Sequence, residues 1–329
     1  MADKVLHDLL AQQNYIALAP LAGVSDLPFR IICRMHGASI VYTEMISAKA
    51  LCYQNKKSIE MLATTSAEFP CVVQLFGSEP QIFARAIEEY INNSAFAAID
   101  INMGCPVPKV TKNKEGSALM RDEDLACEIV RAVKSVSQKP VSVKIRSGWD
   151  KDHINAPAFA LAMQQAGADM IIVHPRTKEQ VFTGKSDWHI IAQVKKACSV
   201  PVIANGDIFS PQDATSVLTQ TGADGIMIGR GAMGNPWLFG QIAADRAGLP
   251  YTSPTCEEIF SQIELHLKMV CASTDEKATV AAMRKHLFWY TKGLPHSAKI
   301  RRELSSVVTQ SEVMAILKKY LLQNKDDTK

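Results

Sequence analysis

Cys105 stands near the end of the stretch Ile99-Asp-Ile-Asn-Met-Gly-Cys-Pro106, in which apolar and polar side chains alternate. Ile99, Ile101 and Met103 fall on one parity, and Asp100 and Asn102 on the other. That is the pattern of a strand with one apolar and one polar face. The Gly-Cys-Pro corner then presents a thiol on a loop, where scaffolds commonly display reactive groups. An inert, buried cysteine before a turn accounts for the same residues. The choice depends on what else shares the strand ends.

Several other polar residues stand at or near the ends of apolar runs. Gln74 lies between Val73 and Leu75. Asn102 precedes the Cys105 corner. In Val141-Ser-Val-Lys-Ile-Arg146 the three apolar residues share one parity, which leaves Ser142, Lys144 and Arg146 on the other face. An inward lysine needs a partner, because desolvating an ammonium is costly. Lys144 either pairs with an inward carboxylate such as Asp100 or faces a bound anion or electron-accepting group. His174 and Arg176 follow another strand. Asn205-Gly206-Asp207 and Gly229-Arg230-Gly231 end two more. Such glycine loops are tight turns or phosphate cradles, in which backbone N–H groups converge and an arginine forks onto oxygens. No histidine or cysteine spacing suggests a metal site. The combination suits a redox site with a phosphorylated cofactor. Lys144 and His174 would lie near an electron-rich ring and Gln74 at its edge.

These residues need a scaffold that brings many strand ends together. Strands are expected at 15–20, 39–45, 70–76, 97–102, 140–146, 168–174, 200–204 and 223–228. Helices fall between them, one following the second strand and running to about 62. Residues 107–116 and 175–186 read as long loops. Eight strands alternating with helices predict an α/β fold, a (β/α)8 TIM barrel with its site where strands end. A doubly wound sheet would want Gly-x-Gly-x-x-Gly after the first strand, which is absent. Gln165-Ala-Gly-Ala-Asp-Met-Ile-Ile and Thr221-Gly-Ala-Asp-Gly-Ile-Met-Ile echo one another, as repeated helix-to-strand joints would. After about Gly240 the pattern turns wholly helical, with Thr255 as a candidate N-cap. The expected division is a barrel over 1–245, a small C-terminal helical domain over 255–323 and a frayed tail over 324–329.

Composition is that of an ordinary globular chain, 47% hydrophobic and 21% charged. The 329 residues contain no apolar run of the ~18 residues that span a bilayer. The eight cysteines are scattered singly, as reduced cytoplasmic thiols would be. The net charge of +3 is unevenly distributed: residues 281–329 carry ten Lys/Arg against four Asp/Glu. A basic helical segment on a near-neutral body points to a polyanionic partner.

The chain resembles the tRNA-dihydrouridine synthases, and most of all the bacterial B-type subgroup. The resemblance runs through Ala19-Pro-Leu-Ala-Gly-Val-Ser-Asp26, Val73-Gln-Leu-Phe-Gly77, Asp100-Ile-Asn-Met-Gly-Cys-Pro106, Val143-Lys-Ile-Arg-Ser-Gly-Trp149, His174 with Arg176-Thr177, Val202-Ile-Ala-Asn-Gly-Asp207 and Met227-Ile-Gly-Arg-Gly231. It continues faintly through Arg284-Lys285-His286 and Arg301-Arg302. What it implies is an oxidoreductase, FMN-dependent and NADPH-driven, that reduces the 5,6 double bond of uridines in tRNA. Hydride would reach C6 from the flavin, and Cys105 would protonate C5. By the same resemblance FMN would contact Pro20, Leu21, Ala22, Gln74, Lys144, His174, Asn205, Gly206, Asp207, Gly229 and Arg230. Asn102 and Arg176 would hold the uracil. Arg284, Lys285, Lys299, Arg301 and Arg302 are candidate phosphate contacts for tRNA. The protein would be a cytoplasmic monomer.

One residue departs from the subgroup, which usually has glycine after the strand-six histidine. Here Pro175 removes that backbone N–H and fixes φ. Two other functions compete with the tRNA reductase. A small-molecule pyrimidine or enone reductase would not need the basic helical segment. A non-catalytic tRNA-binding protein would not need Cys105 and Lys144.

Overall fold

Strands Ile16–Leu18 (β1), Ile40–Ser47 (β2), Cys71–Phe76 (β3), Ala98–Met103 (β4), Val141–Arg146 (β5), Met170–His174 (β6), Val202–Asn205 (β7) and Gly225–Ile228 (β8) pair in parallel in chain order, and β1 pairs with β8. The sheet therefore closes on itself and leaves no edge. This computed structural model describes residues 15–271 and 275–323, together with Asp8. The tail expected over 324–329 lies outside the described residues.

The alternation read from the sequence separates the barrel's two faces. Tyr15, Ala17, Ile40, Tyr42, Val72, Ala98, Met170, Ile172, Ile203 and Met227 form one buried cluster inside the barrel. β5 contributes nothing to it, because Ser142, Lys144 and Arg146 hold the corresponding positions. Gln74, Asp100 and Asn102 share the parity of Val72 and Ala98, so polar side chains take over the interior towards the C-terminal ends.

Helices Leu27–Met35 (α1), Ala48–Cys52 (α2), Lys56–Glu60 (α3), Pro80–Ala86 (α4), Pro108–Thr111 (α5), Glu123–Val136 (α6), Ala156–Ala166 (α7), Trp188–Ala197 (α8) and Pro211–Thr221 (α9) fill the connections. Asp26 caps α1 by accepting from Phe29 N–H at 3.0 Å, while Ser25 Oγ accepts from Leu21 N–H. Two expectations need correction. The helical stretch expected after the second strand, up to about 62, is two short helices, broken where Gln54 takes a φ of 54°. The loop expected over 107–116 contains α5, which begins with proline, the residue whose missing N–H the first helical turn tolerates.

The echoed Gly-Ala-Asp joints now have a physical basis. Gly167 and Gly222 end α7 and α9 with φ of 115° and 65°. Two residues on, Asp169 accepts from Val141 N–H at 2.7 Å and pairs with Lys134 at 2.8 Å. Asp224 does the same with Val202 N–H at 2.7 Å and Lys195 at 2.7 Å. Each carboxylate thus ties a strand start to a flanking helix. Asp169 and Asp224 lie outside the strands for this reason, and β6 and β8 begin later than expected.

The chain divides into two compact units, Met1–Gly231 and Ala232–Lys329. The boundary falls before the expected 245, so the helix Leu238–Arg246 (α10) belongs to the second unit. That unit also contains Cys256–Cys271 (α11), Glu276–Tyr290 (α12), Ser297–Leu304 (α13) and Gln310–Lys318 (α14). Ile259, Ile263, Leu267, Val280, Met283, Leu287, Ile300, Leu304, Val313 and Leu317 form its core, and Trp237 just before α10 packs on it. Thr255 caps α11 through a reciprocal pair. Its Oγ1 accepts from Glu258 N–H, and the Glu258 carboxylate accepts from Thr255 N–H. Among the described residues no helix is long and apolar enough to cross a membrane.

Barrel closure depends on a close approach at Gly225. A Cβ there would lie 2.7 Å from Tyr15 Cβ and 2.8 Å from its carbonyl oxygen, which also accepts from Ile226 N–H at 2.9 Å. Gly225→Ala is expected to destabilise the barrel by about 1–3 kcal/mol, read as a lower urea midpoint; an unchanged midpoint would show that the seam can open without loss.

Candidate active site at the barrel mouth

Cys105 lies two residues past β4, half-buried, on a corner held by Asn102. The Asn102 Oδ1 accepts from Gly104 N–H at 3.2 Å and from Cys105 N–H at 2.9 Å. The Cys105 carbonyl accepts from the N–H and hydroxyl of Ser117, at 3.0 and 2.9 Å. Gly116 closes this contact. At its φ of 61° a Cβ would lie 2.8 Å from the Cys105 carbonyl oxygen. Arg146 holds the other side, its Nε donating to the Gly104 carbonyl at 2.7 Å and its Nη1 to those of Thr177 and Val181.

Burial raises the pKa of the Cys105 thiol, and the Val107 N–H, Arg146 and Lys144 do not pull it back to its ordinary value. The group is therefore a protonated thiol at neutral pH, a potential acid and not a nucleophile.

Beneath the corner, polar side chains link across three strands. Asn102 Nδ2 donates to Gln74 Oε1 at 2.8 Å, and Gln74 Nε2 donates to Asp100 at 2.6 Å. Ser142 Oγ donates to the other Asp100 oxygen at 2.5 Å. The alternative in which Asp100 pairs with Lys144 is not what forms. Asp100 takes neutral donors, and among the described residues Lys144 makes neither a hydrogen bond nor an ion pair. Burial pushes Asp100 up to about 7, against Gln74, Ser142 and Lys144. Burial and then Arg146 push Lys144 down to about 8, with Asp100 opposing. A lysine so placed can lend its charge to a bound group.

His174 is held well below its usual pKa by burial and then by Lys144, Arg146, Arg176 and Arg230, so its ring is neutral. Arg176 Nη1 lies 3.3 Å from His174 Nε2. A guanidinium only donates, so Nε2 accepts and Nδ1 carries the proton.

The ends of β6, β7 and β8 meet at Asp207. Its carboxylate accepts from Arg176 at 2.9 and 2.7 Å, from Arg230 at 2.9 Å and from Ser186 N–H at 2.8 Å. Gly206, at φ 128°, has Ser186 Oγ 2.5 Å from where a Cβ would be. Gly229 has nothing nearer than 3.8 Å to such an atom, which leaves room beside its backbone. The Arg230 guanidinium lies over Phe182 and Phe209, at 4.7 and 5.6 Å from the ring centres. Four cations lie around a neutral imidazole, and Asp207 directly counters two of them, Arg176 and Arg230, which makes a mouth suited to a polyanion such as a phosphate ester.

The roles expected of the arginines change here. Arg176 is 1% exposed, and all its N–H groups donate within the protein, to Thr183, Gly184, Ser186, His174 and Asp207. It builds the loop after β6 and has no donor left for a uracil. Asn205 Nδ2 donates to the Met227 carbonyl, tying β7 to β8. Pro175 is accommodated because Arg176 N–H donates to the His174 carbonyl at 2.9 Å, a three-residue turn whose central φ proline supplies. Pro20 and Leu21 are half-buried after β1, and Ala22 is exposed. Sequence reasoning missed Ser186, Gly116 and Phe182. Phe182 and Ser186 sit in the loop after β6 and Gly116 opens a short 3-10 helix, none with a periodicity to mark it, and only tertiary contact gives them a role.

In the second unit Lys299, Arg301 and Arg302 are exposed on α13, and Lys285 is half-buried on α12. Arg284 is half-buried and donates to the Val307 carbonyl at 2.9 Å, so it is partly taken up in holding its own unit together.

The closed barrel with a thiol, a lysine free of protein partners among the described residues and an anion-suited pair of loops at its mouth defines a (β/α)8-barrel enzyme. Its likeness to a morphinone reductase variant in complex with tetrahydroNAD (TM-score 0.53, 13% identity, 74% of this chain and 90% of that one) is one of fold. So is that to TcOYE with pHBA (TM-score 0.54, 11% identity, 74% and 92%). The family model "Dihydrouridine synthase (Dus)" matches residues 17–326, and the chain belongs to that family. It is 41% identical over 306 residues to tRNA-dihydrouridine synthase B of Xanthomonas axonopodis pv. citri, covering 93% of this chain and 92% of that one. Against tRNA-dihydrouridine synthase B of Pseudomonas aeruginosa it is 37% identical over 315 residues, 95% of each chain.

The raised thiol pKa has a direct consequence. Alkylation requires the thiolate, so labelling of Cys105 by iodoacetamide, followed by peptide mapping, is expected to stay slow through neutral pH. It should climb only above the ~8.5 of a free thiol; fast labelling at pH 7 would mean that the cations win over burial.

Proposed function

We propose that this chain reduces the 5,6 double bond of uridines in tRNA to 5,6-dihydrouridine, with FMN as cofactor, NADPH as reductant and Cys105 as the acid. The reaction follows from membership of the dihydrouridine synthase family. The protonation state of Cys105 carries the assignment of its role: burial keeps it a thiol at the mouth of the barrel.

The residues at the mouth fit FMN. Lys144 has a charge with no direct partner among the described residues, the backbone at Gly229 is open, and Arg146, Arg176 and Arg230 surround His174. Pro20, Leu21, Ala22, Gln74, Lys144, His174, Asn205, Gly206, Asp207, Gly229 and Arg230 would hold the cofactor. Asp207 would act by orienting Arg230. Bound and reduced, the flavin would supply a hydride to C6. Hydride arrival gives C5 carbanion character, which requires an acid in place. The Cys105 thiol gives that proton, and Asn102 fixes the corner from which it does so. Lys144 would counter negative charge on the reduced ring.

A uracil in folded tRNA must leave its stack to reach a barrel mouth. The second unit is proposed to hold the tRNA for this, through Lys285, Lys299, Arg301 and Arg302, with a lesser part for Arg284. Its basic residues favour this substrate over a free pyrimidine. Eight free thiols suit the cytoplasm, and the protein is proposed to act there as a monomer.

Cys105→Ala is expected to bind FMN and oxidise NADPH as the wild type does, while tRNA reduction falls by about 10²–10⁴-fold. Wild-type turnover on unmodified tRNA would remove Cys105 from the mechanism. Arg301→Ala with Arg302→Ala is expected to weaken tRNA binding and flatten its salt dependence by about one unit of log–log slope for each phosphate the variant no longer neutralises. An unchanged slope would place both residues outside the interface.

A further inference from the structure

Asp100 lies wholly inside the barrel, 0% exposed, level with Gln74 in the strand register and two residues below Asn102 on β4. It is joined to the Cys105 corner by two amide side chains, Gln74 and Asn102. The direction of each bond in this chain is constrained. At the corner, Gly104 N–H and Cys105 N–H can only donate, so Asn102 must present Oδ1 to them. Asn102 then has only Nδ2 for Gln74, which must present Oε1. Gln74 has only Nε2 left, and what it meets must accept. A carboxylate meets that requirement.

We propose that Asp100 is a positioning residue for the acid: its carboxylate fixes the amide orientation of Gln74, and through it that of Asn102, so that the Cys105 corner has one hydrogen-bonded geometry. Without an acceptor at position 100, the Gln74 amide could turn over and present Nε2 to the Asn102 Nδ2. Asn102 would then turn as well, or lose its bond. Either outcome takes the acceptor away from the two backbone N–H groups. Ser142 and Thr43 support the arrangement. Ser142 Oγ donates to the second Asp100 oxygen, and Thr43 Oγ1 accepts from Gln74 N–H at 3.0 Å. No atom of Asp100 needs to meet the substrate. The proposal rests on the role of Cys105 given above and adds what sets its geometry.

Two substitutions at one position separate bond direction from volume and charge. Asp100→Asn keeps an acceptor for Gln74, and its amide can donate to Ser142 Oγ. Asp100→Leu keeps similar bulk and accepts nothing. The first measurement is iodoacetamide labelling of Cys105, resolved by peptide mapping, with neither tRNA nor NADPH present. We expect Asp100→Leu to label faster by about fivefold or more, as the corner loosens, and Asp100→Asn to stay within about twofold of wild type. The second is single-turnover reduction of tRNA by pre-reduced enzyme. It should fall at least about tenfold in Asp100→Leu and be restored in Asp100→Asn. Gln74→Met cuts the chain one residue later and should reproduce the faster labelling if Asp100→Leu does not fold. Wild-type labelling in both cut variants would overturn the proposal. So would an Asp100→Asn variant as impaired as Asp100→Leu, since charge and not bond direction would then be at work. Failure of the wild type to form dihydrouridine would overturn the functional reading instead, and the labelling result would stand apart from it.

Discussion

The pairing of Arg176 with Asp207 joins the ends of β6 and β7, and the rest of the mouth is arranged around it. A buried guanidinium must have its charge and all its donors satisfied, because an unpaired one would cost several kcal/mol. Asp207 and the carbonyls of Thr183 and Gly184 meet that need. In doing so they shape the loop after β6 into a fixed wall. The same carboxylate draws in Arg230, whose guanidinium lies over the rings of Phe182 and Phe209. A residue expected to touch substrate thus builds the site for others. The turn at Pro175 belongs to this construction, since its fixed φ starts the loop towards Arg176.

The mouth carries more positive than negative charge, yet its key groups are neutral. His174 is neutral because burial and four surrounding cations disfavour its protonated form. Cys105 is neutral because burial outweighs the Val107 N–H and the two cations beside it. Lys144 keeps a charge that no carboxylate among the described residues neutralises directly, because Asp100 is engaged by Gln74 and Ser142. The site thereby combines a proton donor with an excess of cations. That combination suits a reaction in which negative charge develops on a ring and is then quenched by a proton.

Much of this was legible in the sequence because it depends on local periodicity. Alternation of apolar residues gave the eight strands and the inward faces of β4 and β5. The repeated Gly-Ala-Asp joints marked successive βα units, and the rule that barrel sites lie at strand ends gathered Gln74, Asn102, Cys105, Lys144, His174, Asn205 and Arg230 on one mouth. The motif around Cys105 gave the family. Where the reading erred, local signals were weak. The break at Gln54 and the short helix at Pro108 are single turns closed by hydrogen bonds within a few residues, too short for a helical period to register.

By itself, then, the sequence determined the barrel, the helical second unit and the set of side chains at the mouth, since each follows from periods of two and 3.6 residues and from residue type. Only the tertiary structure decided what those side chains do to one another. It showed that Arg176 is wholly used inside the protein, that Asp100 bonds to Gln74 and not to Lys144, and that Cys105 is buried enough to raise its pKa. Each outcome is set by competition among groups from different strands for donors, acceptors and water, and no spacing along a single chain segment encodes it.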